Sequence, residues 1–167
     1  MITYLSLRAC KEDTHMKTAQ KLVAMLMVFA MVLSIAACKK KTKKISAEEF
    51  RTKLEAASYD VYGDEVPPSD NVNSFLIAVN KNILYFMISH LTYLSKADAK
   101  KSFDDMKNTM QVGKEEGKIT NLTISDNKIV AEESTSYTVL ILADEVLIMA
   151  SGSDSTAVND ALKILGL

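Results

Sequence analysis

An apolar run near the amino terminus separates a segment that we expect to be removed from a segment that we expect to fold. Residues 22–37 read LVAMLMVFAMVLSIAA, with Ser34 as the only polar side chain, and Lys17 and Lys21 lie just before them. A membrane-spanning helix needs about 20 apolar residues, and this run is shorter. A basic flank followed by a short apolar run is typical of a secretory signal peptide. We therefore expect residues 16–37 to be removed on export.

The residues at the end of this run indicate how the exported chain is held. Ile35, Ala36, Ala37 and Cys38 resemble the lipobox of bacterial lipoproteins, which has an aliphatic residue, two small residues and a cysteine. The resemblance implies that a diacylglyceryl group is attached to the Cys38 sulfur and that a peptidase cuts directly before Cys38. It also implies a location on the outer face of the cell membrane. The alternative is an uncleaved membrane anchor or a buried core helix, with Cys38 as an incidental apolar residue.

The charge of the chain changes sharply after Cys38. Residues 39–44 hold five lysines, whereas residues 45–167 hold 11 basic and 19 acidic side chains, a net charge of -8. An acidic domain lacks the basic surface that nucleic acid requires, so we expect no nucleic-acid partner. We interpret residues 38–44 as a lipidated tether whose lysines either contact an anionic leaflet or act as a solvated spacer. The exported domain is then expected at 45–167.

The first fifteen residues do not fit this scheme, because signal peptides begin only a few residues before their lysines. Residues 1–15 are therefore expected to be an upstream extension, with Met16 as the start of translation. Cys10 would then be absent from the protein, and the two cysteines would form neither a disulfide framework nor a metal site.

Amphipathic periodicity predicts three helices in the exported domain. Ser46 and Glu49 have the spacing of a capping box, and Phe50, Leu54 and Ala57 then share one helical face. Ser95 caps a second helix with Asp98 three residues on, and Gly113 and Gly117 are expected to end it. Its apolar stripe is formed by Ala99, Phe103, Met106 and Met110. The apolar face of the third helix, which ends near Gly166, is formed by Val158, Ala161, Leu162 and Leu165.

The segments between these helices predict strands. A short strand at 58–62 and a loop at 63–71 precede SFLIAVN and NILYFMISHL, which Asn80, Lys81 and Asn82 join as a tight hairpin. KITNLTI, KIVAEES, SYTVLIL and EVLIMAS follow as a meander. The apolar run at 137–150 could also be a buried helix, but its Tyr, Thr, Val and Ile content favours strands.

These elements predict an α+β fold in the order αβββαβββα. We expect a twisted antiparallel sheet of about six strands with helices packed on one face, and the order suggests an internal duplication. The strings ISAEEFRTKLEAASYDV, KADAKKSFDDMK and LKILGL resemble small lipoproteins of low-GC Gram-positive bacteria. That resemblance implies no catalytic residue.

The sequence offers few groups for catalysis. His90 is the only histidine after Cys38, and it is either a general base or a structural residue of an apolar strand. Five pairs of adjacent carboxylates suggest a glycosidase or a calcium site, or simply solvated surfaces, and none has EF-hand spacing. These pairs are Asp64/Glu65, Asp104/Asp105, Glu115/Glu116, Glu132/Glu133 and Asp144/Glu145. We predict no catalytic residue, no metal and no cofactor.

Two hypotheses follow for the function. The first is a membrane-anchored binding or interaction module at the cell surface, with an unknown protein or small molecule as its ligand. The second is an extracytoplasmic enzyme whose active site has no recognisable motif. A cleft that holds His90 beside two carboxylates would favour the enzyme.

Overall fold

A computed structural model describes residues 42–63, 71–80, 82, 83 and 85–167 of the chain. The described residues form an α+β domain with one antiparallel sheet, as predicted from the sequence. The sheet has seven strands instead of about six, because the short first strand and all four segments of the predicted meander belong to it. The elements in chain order are α1 (Ala47–Ala56), β1 (Asp60–Tyr62), β2 (Val72–Val79), β3 (Met87–Tyr93), α2 (Lys96–Glu115), β4 (Ile119–Ile124), β5 (Lys128–Glu133), β6 (Tyr137–Ala143), β7 (Val146–Gly152) and α3 (Ser155–Leu165).

The two halves of the sheet meet at its centre, between β3 and β7. The strand order is β1-β2-β3-β7-β6-β5-β4, and every neighbouring pair is antiparallel. The start of β2, the end of β3, the β4–β5 turn and the β6–β7 turn therefore lie at one end of the sheet. The β2–β3 connection and the β5–β6 turn lie at the opposite end, which we call the far end.

The three helices cover both faces of the sheet, so the prediction that they pack on one face is wrong. Helices α1 and α3 pack against one face, where Phe50 and Leu165 share a core with Ile148. Helix α2 packs through Phe103 against the opposite face, which Leu147 helps to form. We call these the two-helix face and the one-helix face. The prediction failed because an apolar stripe fixes which side of a helix is buried and leaves open which face of the sheet that side meets.

This placement of the helices also disagrees with an internal duplication. If the two halves were equivalent, they would meet at the antiparallel pair β3 and β7 and would be related by a twofold axis perpendicular to the sheet. Rotation about this axis would place equivalent helices of the two halves on the same face of the sheet. Helices α1 and α2 precede the two halves and lie on opposite faces. The halves also differ in their number of strands. The described domain therefore does not consist of two equivalent units.

The predicted helix starts are confirmed, and of the two glycines expected to end α2, Gly117 does so and Gly113 does not. The Ser46 hydroxyl accepts the Glu49 N–H at 3.1 Å, and α2 has a Ser95 cap of the same kind. Gly113 lies inside α2, which ends at Glu115. A Cβ at Gly113 would lie 3.1 Å from the Ile119 side chain, so this glycine allows β4 to pass close to the helix.

The segment 137–150 forms strands, as predicted, but the β2–β3 hairpin differs from the expected one. Its connection covers residues 80–86 instead of three residues, and β3 begins only at Met87. Asn80 initiates the connection by accepting the Asn82 N–H on its side-chain oxygen at 2.9 Å. Phe86, at the end of this connection, is buried in the core of the two-helix face, where it packs edge-on against Tyr59.

Candidate functional site

The residues predicted for lipid attachment lie outside the described part of the chain. Ile35, Ala36, Ala37 and Cys38 belong to this group, as do the signal peptide at 16–37 and the extension at 1–15. The lipidation of Cys38 therefore remains a prediction. The acidic loop at 63–71 is also largely outside the description, because residues 64–70 are not covered.

The end of the predicted tether binds to the folded domain. The Lys43 Nζ lies 2.8 Å from a Glu49 oxygen, and the Lys44 ammonium contacts the Glu145 carboxylate. The Asn127 amide donates to the Thr42 hydroxyl. These contacts begin three residues before Ile45, where the domain was expected to start. We call residues 42–45 the N-terminal clamp.

The ion pairs of the clamp shift the pKa values of three of the groups that they join. The hydrogen bond and charge of Glu49 raise the pKa of Lys43 above its ordinary value. The hydrogen bonds from Lys43 and Lys53 lower the pKa of Glu49, and the hydrogen bond from Lys44 lowers that of Glu145. Lys43 and Lys44 therefore contact carboxylates of the domain, whereas the sequence analysis interpreted them as membrane contacts or a solvated spacer.

His90 lies in the protein core beneath the clamp. Its side chain has no exposed surface, its Nε2 lies 2.9 Å from the Ile45 carbonyl oxygen, and its ring centroid lies 5.2 Å from that of Phe50. A carbonyl only accepts hydrogen bonds, so Nε2 carries the proton, while the buried Nδ1 has no partner among the described residues. Burial lowers the pKa of His90, and the structure places it in the core instead of a cleft beside carboxylates.

A groove lies between the clamp and the strand ends on the two-helix face. Its floor contains Ser74, Thr92 and Val146, which are aligned across β2, β3 and β7. One wall is formed by the clamp and the start of α1, and Asn73 borders the opposite side. The groove encloses about 400 Å³.

The floor of the groove carries a polar group that the fold leaves free. Ser74 is only 6% exposed, and its hydroxyl makes no hydrogen bond with any described residue. Ser74 has the same strand parity as Leu76, which packs in the core of the two-helix face, so its side chain points into the groove. The Ser74 oxygen is not among the fully buried side-chain atoms that lack a hydrogen-bond partner, so it is open to the groove and available to a polar ligand.

A second depression of about 570 Å³ adjoins the groove and shares Asn73 and Thr92 with it. Glu145 and Lys96 line this depression, and Lys96 donates to Asp144 at 3.0 Å. The hydrogen bond and charge of Asp144 raise the pKa of Lys96. The combined surface offers hydroxyl, amide, ammonium and carboxylate groups, which suits the binding of a small polar ligand.

The paired carboxylates do not converge on a common point among the described residues. Each pair that is covered has at least one local partner, as in Asp104 with Lys100, Glu116 with Lys118, Glu132 with Asn121, Glu133 with Ser136 and Asp144 with Lys96. No group of three or more His, Cys, Asp or Glu side chains in the described part of the chain could hold a metal ion. Within the same residues, no helix is long and apolar enough to cross a membrane.

Comparisons with known proteins add little to this description. No protein-family model matches the chain, and no curated protein matches it. A solved structure described as a GTP binding regulator from Thermotoga maritima is similar at 15% sequence identity, with a TM-score of 0.43. The similarity covers 72% of this chain and 84% of that protein. A likeness of this strength says nothing about the function of the present chain.

Sequence reasoning missed the groove residues. Ser74 and Thr92 are polar residues within apolar strands, which is the ordinary pattern of a solvent-facing position. Their burial depends on the clamp, which is distant in sequence. The one available signal was the polar pair Asn73 and Ser74 at the start of an otherwise apolar strand.

Proposed function

We propose that the mature protein is a lipid-anchored module on the outer face of the cell membrane that binds a small polar ligand or a polar segment of a partner. The anchoring part of the proposal is supported by the lipobox residues Ile35, Ala36, Ala37 and Cys38 and by the basic and apolar segments before them. Two acyl chains on one cysteine give stable anchoring, whereas a single chain gives only marginal binding.

The binding part of the proposal depends mainly on Ser74. The residue as a whole is only 6% exposed, its hydroxyl faces the groove, and that hydroxyl makes no hydrogen bond with another described residue. Hydroxyl and amide groups of Thr92 and Asn73 lie beside it, so a ligand with several hydrogen-bonding groups would find matching partners within about 400 Å³. The enzymatic alternative needed His90 in a cleft, and its core position offers that hypothesis no support.

The anchoring is tested by metabolic labelling with a fatty-acid analogue in the native host. We expect the wild-type protein to be labelled and to fractionate with membranes. Cys38→Ser should lose the label and retain the signal peptide, because the thiolate is the group that would be acylated. If Cys38→Ser is labelled as strongly as the wild type, the lipoprotein assignment is wrong.

The groove is tested by photo-crosslinking in the same host. A photoreactive residue at Asn73, at the groove, should give a discrete crosslinked product. The same residue at Asn108, which is exposed on α2, is the matched control and should not give that product. Thr92→Tyr, which fills the groove from its floor, should abolish the Asn73 product while the circular dichroism spectrum stays unchanged. An Asn73 product that survives Thr92→Tyr would contradict binding in the groove.

A further inference from the structure

The N-terminal clamp fixes the point at which the chain enters the domain. Thr42 is bound at the β4–β5 turn through Asn127, and Lys44 is bound at the β6–β7 turn through Glu145. Both turns lie at the same end of the sheet as Leu94, which follows β3. We call this the clamp end, and it is opposite the far end.

Little chain is left between the predicted anchor and the clamp. Cys38 and Thr42 are four residues apart. A fully extended chain covers at most about 3.3–3.6 Å per residue, so four residues reach about 14 Å. A lipid on Cys38 would therefore hold the clamp end close to the headgroups of the bilayer, and the far end would point away from it.

The charges at the clamp end favour this orientation. Glu145 and Asp144, in the turn that faces the clamp, are matched by Lys44 and Lys96. Ion pairs also occur elsewhere on the domain, as in Asp104 with Lys100 and Asp160 with Lys163, but residues 45–167 as a whole carry a net charge of -8. An anionic leaflet repels uncompensated acidic surface, and it repels the clamp end less.

Leu94 adds an apolar contact at the same end. Its side chain is 64% exposed, although it follows a strand whose last residue, Tyr93, is buried. Leu94 is one of four large apolar side chains that the described residues expose, together with Tyr62, Tyr85 and Val112. At a membrane interface an exposed leucine is stabilised by contact with the acyl region.

We infer that the clamp end of the sheet is the membrane-facing surface of the protein and that Leu94 contacts the lipid interface. This inference rests on the proposed anchoring through Cys38. It assigns the bilayer that carries the anchor as the partner of this surface. It also places the groove, which opens beside Lys44, on the membrane side of the domain.

The chain contains a matched pair of positions for a test. Tyr85 is 80% exposed in the β2–β3 connection at the far end, and Leu94 is 64% exposed at the clamp end. The seven residues of β3 lie between them, which at about 3.3 Å per residue separates the two positions by about 23 Å. Mature protein that starts at an acylated Cys38 has no other cysteine. A cysteine at either position can therefore be labelled selectively with a fluorophore.

The experiment uses the full lipidated protein in phosphatidylglycerol-containing vesicles with nitroxide groups on a fraction of the lipid headgroups. Co-sedimentation with the vesicles is measured first. We expect Leu94→Cys to lose most of its fluorescence to the nitroxide lipids and Tyr85→Cys to lose little. A long Gly-Ser insertion between Lys41 and Thr42 should remove the quenching at position 94 without releasing the protein, because the added chain lets the domain move away.

The outcomes separate the orientation from the anchoring. Protein that does not sediment disproves the anchoring and the inference together. Protein that sediments with equal quenching at both positions, or with stronger quenching at position 85, disproves the orientation alone. If the fluorophore at position 94 is shielded from an aqueous quencher but is not quenched by the nitroxide lipids, a second protein molecule covers this surface. That result also disproves the orientation. If position 94 is still quenched after the Gly-Ser insertion, the short chain between Cys38 and Thr42 is not what holds the clamp end at the bilayer.

Discussion

The two faces of the sheet are covered to different extents, and the amino-terminal segment accounts for much of the difference. Among the described residues, seventeen are buried in the core of the two-helix face and eight in that of the one-helix face. Ile45, at the end of the clamp, belongs to the larger core and has no exposed surface. On the one-helix face, Met106, Met110 and Met149 are only partly buried. The comparison shows that the segment nearest the predicted anchor is part of the better-packed side of the protein.

The largest expected effect comes from removing one phenylalanine on each face. Phe50→Ala and Phe103→Ala should each lower the free energy of unfolding by about 3–5 kcal/mol, because both side chains are buried. We expect Phe50→Ala to lie near the top of this range, since Phe50 packs among fully buried side chains and against the His90 ring. Met106 and Met110 can move into the space left at Phe103, because methionine is flexible. Urea denaturation measures both values.

The matched control on α2 is Lys101→Ala. Lys101 is exposed, and its substitution should change the free energy of unfolding by less than about 0.5 kcal/mol. Lys100 is a poorer control, since its ammonium binds Asp104 and lies 5.9 Å from the centre of the Phe103 ring. A larger loss for Phe103→Ala than for Phe50→Ala would reverse the proposed difference between the faces.

A smaller effect should appear on acidification, and it should arise from the two-helix face. Burial lowers the pKa of His90 in the folded protein, while the unfolded chain has a histidine pKa of about 6.5. Between these two values the unfolded state binds a proton that the folded state does not, so stability falls as the pH is lowered through this window. The slope is at most about 1.4 kcal/mol per pH unit, and above pH of about 6.5 the contribution of His90 is constant.

The His90→Gln variant isolates this contribution. Glutamine can still donate to the Ile45 carbonyl but does not titrate, so the variant should lose most of the pH dependence between about pH 5 and 7. The lowered pKa values of Glu49 and Glu145 place the titration of those carboxyls below this window. An unchanged slope in urea denaturation of His90→Gln would show that His90 is not the group responsible.

The smallest effects are expected at the ends of the helices on the two faces. Gly117 follows α2 with φ of 73°, and Gly166 follows α3 with φ of 81°. Alanine in this left-handed conformation costs about 1–2 kcal/mol, and neither site has a neighbour closer than 3.9 Å to an added Cβ. Gly117→Ala and Gly166→Ala should therefore lower the melting temperature by similar amounts.

Asparagine at the same positions provides the control, because it tolerates the left-handed conformation better than alanine. Each Gly→Asn variant should be more stable than its Gly→Ala counterpart in calorimetry. If Gly166→Ala costs much more than Gly117→Ala while the asparagine variants match, packing around α3 adds to the backbone cost. If asparagine is no better than alanine, the left-handed conformation is not the cause.

Local patterns predicted the elements well, because their causes lie within a few residues. The stripe of α3 is buried as expected, and the cap residues Ser46 and Ser95 accept the N–H groups that the spacing indicated. The arrangement of helices on two faces was not predicted, although β6 carried a signal. The strand is buried from Val139 to Ala143 without alternation, and a continuous apolar run is typical of a strand covered on both faces.

The candidate site could not be predicted from the sequence, because long-range contacts create it. Ser74 lines a groove together with residues 44–47, which belong to the clamp and the start of α1. His90 is a core residue because the Ile45 carbonyl, 45 residues away in sequence, satisfies its Nε2. The proposed lipobox, in contrast, is a contiguous motif, so it could be proposed from the sequence alone and stays a prediction.

The clamp also determines how the domain responds to cleavage by a protease. A cut between Cys38 and Lys41 would free the domain from the proposed lipid anchor and leave the contacts of Thr42, Lys43 and Lys44 in place. A cut after Lys44 would separate Ile45 from Thr42, Lys43 and Lys44, whose contacts fix the chain on the domain, and would leave a new amino terminus at the groove. We therefore expect release by proteolysis to yield a folded soluble domain in the first case and a destabilised one in the second.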